Sequence, residues 1–246
     1  MGTVVTIDVY PEPRATDGQL ARVRQQIHQA CAVLQRADEV FSTWRPDSPL
    51  SRLRRGDITA ADVPAEVADV MAACETAREL SGGWFDPWAM PDGFDPTGYV
   101  KGWAAQRALT VLAPGSGVSG AMVNAAGDIA SSGQLPTGRP FRVGIADPAA
   151  PRQLAEIVEL TGSIATSGGY ERGPHLIDPA TGQPAARVTS ASVTGPDLGL
   201  ADALATGLAV AGSDGLKFIE AIDGYAGLTI GFDGTRTSTQ SFPFAR

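Results

Sequence analysis

Residues 163–184, SIATSGGYERGPHLIDPATGQP, admit few backbone courses. A run of small and β-branched residues suited to a strand ends in Thr166, Ser167, Gly168 and Gly169. A second short apolar stretch, His175-Leu176-Ile177, stops at Asp178-Pro179 and a turn at Thr181-Gly182. The segment therefore reads as two extended pieces that bracket a polar loop. Glycines let a backbone approach a ligand without Cβ interference, and successive loop N–H groups can cradle an anion. One of the two histidines, several hydroxyls and a carboxylate are concentrated here. Two readings stand on these residues alone: two strands joined by a polar turn, or the wall of an anion site.

Upstream, Thr3–Tyr10 is β-rich and reads as a strand. Residues 18–40 carry helical periodicity through Leu20, Val23, Ile27, Cys31, Leu34 and Ala37. His28 falls on that helix and reads as a surface or boundary side chain. Pro46 and its polar neighbours turn 41–48 into a loop. Trp44 in this loop either caps the core or stacks on a flat ligand. Pro64–Leu80 is a second helix, stopped by Gly82-Gly83. Phe-Asp-Pro then occurs twice, at 85–87 and 94–96, and the second copy leads into an amphipathic helix over 99–112. Asp95, Gly98 and Lys101 thus fall around a helix N-terminus, where N–H groups and the macrodipole favour an anion. A lysine in the first turn works against the dipole, which points to an anionic partner for Lys101.

Strands are expected at 121–126, 141–146, 155–160 and 189–194, with turns at Gly127-Asp128 and Asp147-Pro148. Residues 200–211, LADALATGLAVA, form a helix with Asp202 and Thr206 four residues apart on one face. Both carry hard oxygen atoms suited to Mg²⁺; alternatively, Asp202 complements the helix dipole and Thr206 is incidental. A last helix at 214–222 and a terminal hairpin over 227–244, turning at Asp233-Gly234, complete the chain. No linker or composition shift divides the 246 residues. The expectation is an α+β fold: one compact domain, 1–246, of helices packed around a mixed, largely antiparallel sheet.

At 43% hydrophobic residues the chain can bury a sizeable core. A net charge of −8 argues against a general nucleic-acid or anionic-membrane binder. Cys31 and Cys74 lie among apolar residues and read as buried free thiols. No apolar run reaches the roughly 18 residues of a membrane span, and no signal peptide opens the chain. A cytoplasmic protein is expected, and a removed export segment is compatible with the sequence.

The ordered pieces resemble the ApbE family of FAD:protein FMN transferases. The similarity is carried by Met1-Gly2-Thr3, FSTWRPDSPLSRL at 41–53, GWFDP at 83–87, DPTGYVKGWA at 95–104, VNAAGDIASSG at 123–133, IATSGGYER at 164–172, HLIDPATGQP at 175–184 and ASVTGPDLGLADALATGLAVAG at 191–212. The resemblance implies a flavin transferase that binds Mg²⁺ and takes FAD as substrate. It moves FMN from FAD onto a Thr or Ser hydroxyl of a target flavoprotein and releases AMP. Cleaving a pyrophosphate needs a cation, a nest of N–H groups and a means to deprotonate the attacking hydroxyl.

Carried over by position, Asp202 and Thr206 become Mg²⁺ ligands, with backbone carbonyls of Gly98 and Ala205. Met1, Trp44, Trp84, Phe85, Asp86, Asp95, Lys101, Thr166, Ser167 and Ile177 become FAD contacts. His175 and Asp202 become the catalytic residues, because a histidine's ordinary pKa suits proton transfer near neutrality. The chain departs from many relatives in four places. Trp44 replaces Tyr, Lys101 stands where Glu also occurs, and Ala205 stands where some relatives carry Asp. The stretch between Trp44 and Asp95 is also shorter. The chain starts at Met-Gly-Thr, which usually lies inside a longer N-terminus; only if Met1 contacts FAD, as the resemblance implies, are a few preceding residues expected. Two further functions share this site: an FAD pyrophosphatase that uses water as nucleophile, and a flavin-binding protein without turnover.

Overall fold

The computed structural model describes residues 3–90, 92–112, 114–115, 117–169 and 176–245. After strand β1 (Val5–Pro11) come four helices: α1 (Asp17–Phe41), α2 (Pro49–Arg55), α3 (Ala65–Leu80) and α4 (Thr97–Val111). Strands β2 (Val118–Ala125), β3 (Asp128–Gly133), β4 (Phe141–Asp147), β5 (Ala150–Leu160) and β6 (Ser163–Ser167) follow. Then come β7 (Ile177–Asp178), β8 (Gln183–Pro184) and β9 (Ser190–Gly195). Helices α5 (Leu198–Ala211) and α6 (Leu216–Glu220) precede the final strands β10 (Ala226–Ile230) and β11 (Arg236–Ser238).

A seven-stranded sheet runs in the order β1-β2-β3-β6-β9-β10-β11. Every strand pair among the described residues is antiparallel, so the expected mixed character is absent there. Period-two alternation gives the sheet two apolar faces. Ala121, Val123, Ala125, Ala130, Ala165, Ala191 and Val193 face the helices. Met122, Ile129, Ile164, Ala226 and Leu228 face the β4–β5 hairpin, which supplies Phe141, Val143, Ile145, Val158 and Leu160. The helix-side residues are small, and helices α4 and α5 settle closely on them.

The two helices also meet through glycine. A Cβ on Gly102 of α4 would lie 2.3 Å from the Leu198 carbonyl oxygen. A Cβ on Gly199 of α5 would lie 2.9 Å from the Tyr99 ring. A third apolar cluster joins the end of α1 (Val40, Phe41), α2 (Leu50) and α3 (Val67, Val70, Cys74) to Phe85, Phe94 and Tyr99. It fixes the start of α4 from the side away from the sheet.

Local signals account for most boundaries. Thr16 and Gln19 form a capping box at the start of α1. The 227–244 hairpin turns where expected, with Asp233 accepting the Thr235 amide. Helix α2 goes beyond the expected loop: Ser48 caps it, Pro49 opens it and Gly56, at φ 76°, closes it. The expected helix at 214–222 is a 3₁₀ turn, Ser213–Gly215, followed by α6.

Cys74 is buried as expected, whereas Cys31 is exposed. The buried seam of α1 runs through Val23, Ala30 and Ala37, with Ile27 and Leu34 beside it, and Cys31 lies off that seam. His28 is exposed, in keeping with a surface position. No helix among the described residues is long and apolar enough to cross a membrane.

Candidate functional site

The start of α4, the middle of α5, the end of β6 and the β2–β3 turn converge on a cleft of about 140 Å³. Its walls are Trp84, Phe85, Asp86, Pro87 and Met90; Asp95, Thr97, Gly98 and Lys101; Ala126; Thr166, Ser167 and Gly168; Leu176 and Ile177; and Asp202 and Thr206. Segments far apart in sequence, expected separately to touch one ligand, thus share one cavity. Two expected residues, Trp44 and Ala205, stand apart from it. Trp44 is 86% exposed, so it is no core cap. It lines an adjoining open depression with Arg54, Arg55 and Asp92, and that depression meets the cleft at Asp95. Ala205 has its side chain in the apolar core and is not part of the cleft wall. Met1 and His175 lie outside the described residues.

Each wall is held by its own local chemistry. Asp95 Oδ1 accepts the Thr97 amide at 3.0 Å, and Arg54 Nη1 lies 3.4 Å from Oδ2, tying the entrance of α4 to α2. Asp86 Oδ1 accepts the Trp88 amide. Arg187 lies over the Trp84 ring, 5.0 Å from its centroid, and holds the indole at the rim. Thr166 shares a 2.8 Å hydroxyl–hydroxyl hydrogen bond with Ser192 of β9.

Asp202 and Thr206 sit one turn apart on α5, opposite the backbone of Gly98. A Cβ on Gly98 would lie 3.2 Å from Thr206 Oγ1 and 3.2 Å from the Phe85 ring. A side chain there would press on the hydroxyl and the ring by a few tenths of an ångström, and glycine relieves that contact. Asp202 is buried, and its Oδ2 accepts the Gly102 amide at 3.1 Å. That amide is the one a regular α-helix directs at the carbonyl of Gly98. Cys74 lies in the cluster behind this wall. Burial pushes its thiol up to about 12, and the charges of Asp202 and Asp95 add to the effect. It is a packed apolar group and not a nucleophile.

Lys101 has anionic partners within the chain itself. It stands in the second turn of α4, its ammonium meets Asp128 Oδ2, and Asp202 Oδ2 is 3.6 Å away. Asp128 is a residue that the sequence did not single out. It is fully buried, and its Oδ1 accepts the Thr166 amide at 3.1 Å, joining β3 to the end of β6. Its placement follows from a two-residue turn with Ala126 at φ 52° and Gly127 at φ 97°. Asn124 Oδ1 fastens that turn by accepting the Gly127 amide. A left-handed alanine costs roughly 1–2 kcal/mol, and such strain collects at functional sites. The available signal was a strand that turned at Gly127 and put a carboxylate on the first residue of the next strand.

No cluster of three His, Cys, Asp or Glu side chains suited to a metal occurs among the described residues. The donors gathered here are of another kind: one carboxylate, one hydroxyl and the Gly98 backbone. All offer hard oxygen, the chemistry Mg²⁺ takes alongside water and phosphate oxygens. The close seat that Gly98 gives Thr206 is in keeping with such an ion.

Known proteins share this fold. The ApbE family profile matches residues 1–93 and 90–229. An FAD:protein FMN transferase of Vibrio cholerae is 28% identical over 90% of this chain and 82% of its own length. An FAD:protein FMN transferase of Rhodobacter capsulatus is 36% identical over 47% of this chain and 24% of its own length. Among solved structures, the flavin transferase ApbE from Vibrio cholerae superposes with a TM-score of 0.80 at 25% identity, covering 98% of this chain and 95% of that one. The ApbE protein of Thermotoga maritima has the same fold, with a TM-score of 0.80 at 22% identity over 98% of this chain and 94% of that one. With the profile covering most of its length, the chain belongs to the ApbE family.

Proposed function

We propose that this protein transfers FMN from FAD to a Thr or Ser hydroxyl of a target flavoprotein, in an Mg²⁺-dependent reaction that releases AMP. The observation that carries this reading is the meeting of Asp202 and Thr206 with the end of β6 (Thr166, Ser167) and Gly168 in one cleft. Hard-oxygen ligands on one wall and hydroxyls on the other suit a pyrophosphate with its counter-ion. The relatives named FAD:protein FMN transferase supply the substrate.

In this reading Asp202, Thr206 and the Gly98 carbonyl hold the ion. When bound, Mg²⁺ neutralises charge on the pyrophosphate oxygens. The hydroxyls of Thr166 and Ser167 hold the phosphoryl oxygens, and Gly168 lets them approach. Lys101 adds a fixed positive charge to the same wall. Trp84, Phe85 and Ile177 offer apolar surface to the rings of FAD, and Trp44 extends that surface outside the cleft. The acceptor hydroxyl attacks the phosphorus of the FMN half. The bond to the AMP oxygen breaks, AMP leaves, and the hydroxyl proton passes to a base. His175 is the expected base.

The test is incubation with FAD and Mg²⁺, with and without an acceptor flavoprotein. AMP together with a flavinylated acceptor supports transfer. AMP with free FMN alone supports a pyrophosphatase, and absence of AMP supports binding without turnover. Asp202→Asn should abolish AMP release while the protein stays folded, because an amide is a poor ligand for a hard cation.

A further inference from the structure

We propose that Asp128 is a positioning residue: it draws the Lys101 ammonium away from Asp202, so that Asp202 stays open to a divalent cation. The proposal rests on the reading of Asp202 as a cation ligand. Asp128 is wholly buried at the start of β3, where an unpaired carboxylate would be costly. Its two oxygens are used differently: Oδ1 takes the Thr166 amide and Oδ2 the Lys101 ammonium. Lys101 reaches the same place from α4, and its side chain is 17% exposed. Asp202 Oδ2, which already accepts the Gly102 amide, lies 3.6 Å from that ammonium.

One positive charge therefore stands between two buried carboxylates, closer to Asp128 than to Asp202. Without the charge on Asp128, Asp202 is a second carboxylate beside the lysine among the described residues. The ammonium would then close on Asp202 and occupy the direction from which a cation must approach. Helices α4 and α5 are locked together at Gly102, so the lysine cannot be withdrawn by moving the helix. A carboxylate on the sheet is the device that diverts it. The strained turn at Ala126 and Gly127 delivers that carboxylate to the cleft edge.

The test uses Mn²⁺ alone as the probe, titrated calorimetrically into the full-length protein without FAD. In Asp128→Asn the side-chain oxygen can still accept the Thr166 amide, so the strand contact survives and the charge is lost. This variant should bind Mn²⁺ about tenfold or more weakly than the parent, since a unit charge near 4 Å is a large term in a partly buried site. Adding Lys101→Met to it should restore binding to at least the parent level. Lys101→Met alone should bind at least as tightly as the parent, and it reports independently should Asp128→Asn melt early. Parent-like binding by Asp128→Asn would overturn the proposal. So would a double variant as weak as Asp128→Asn, which would show a merely structural role. A parent protein that binds no Mn²⁺ would overturn the cation reading of Asp202 itself, a different failure from either of these.

Discussion

Gly102→Ala tests whether the approach of α4 to α5 sets the geometry of the site. Alanine is favoured over glycine in a helix by about 0.8–1 kcal/mol. Propensity alone therefore makes the substitution stabilising. The tertiary contact opposes it. The new Cβ would sit 2.3 Å from the Leu198 carbonyl oxygen and 3.1 Å from Asp202 Cβ. An ordinary carbon–oxygen contact is about 3.3 Å, so the helices must part locally by about 1 Å. Overpacking of this kind costs about 1–3 kcal/mol, at the upper end here because the obstacle is backbone.

The net loss is then up to about 2 kcal/mol, and each kcal/mol lowers Tm by about 2–4 °C in a chain of this size. Activity should suffer more. Asp202 accepts the Gly102 amide, and a 1 Å misplacement in a site can cost about 10²-fold in rate. Gly18→Ala in α1 is the control, since no atom lies within 4 Å of its Cβ position. It should raise Tm slightly and leave AMP release unchanged. If Gly102→Ala raised Tm as the control does and kept full AMP release, the close packing of α4 on α5 would have no part in building the site.

Trp44→Ala should barely change the ligand-free Tm, because the indole is 86% exposed. If the ring stacks on FAD, calorimetry should show binding weakened by about 1–3 kcal/mol; unchanged affinity would remove Trp44 from the FAD surface. His175→Ala should lower FMN transfer by about 10²–10⁴-fold with FAD affinity little altered, and joint loss of binding and transfer would contradict a proton-transfer role. Burial raises the Cys74 thiol from 9.0 to about 12, and Tyr225 is likewise pushed up to about 12. Stability from Cys74 is complete below about pH 9, where the thiol is protonated in both states, and is lost as pH rises toward 12. Urea melts at pH 8 and pH 11 should show that fall, and Cys74→Ala should make it smaller.

The order and type of most elements were legible in the sequence because their signals are local. Thr16 and Gln19 cap α1 within one turn, and Asp233-Gly234 bends the last hairpin within four residues. The spacing of Asp202 and Thr206 fixed their shared helix face before any neighbour was known. The resemblance then joined the pieces of the cleft into one expected site.

What depended on the packed structure was every relation between distant segments. Cys31 looked like part of the α1 stripe, but which stripe is buried depends on the helix that α1 packs against. Trp44 stood open between core and ligand until its exposure removed the core reading. Lys101 signalled an anionic partner, yet nothing near it in sequence names Asp128 or explains why a buried carboxylate belongs there. A periodic pattern reports the conformation of its own segment. Coulomb attraction and close packing act through space, and only the folded chain decides which charges and which glycines face one another.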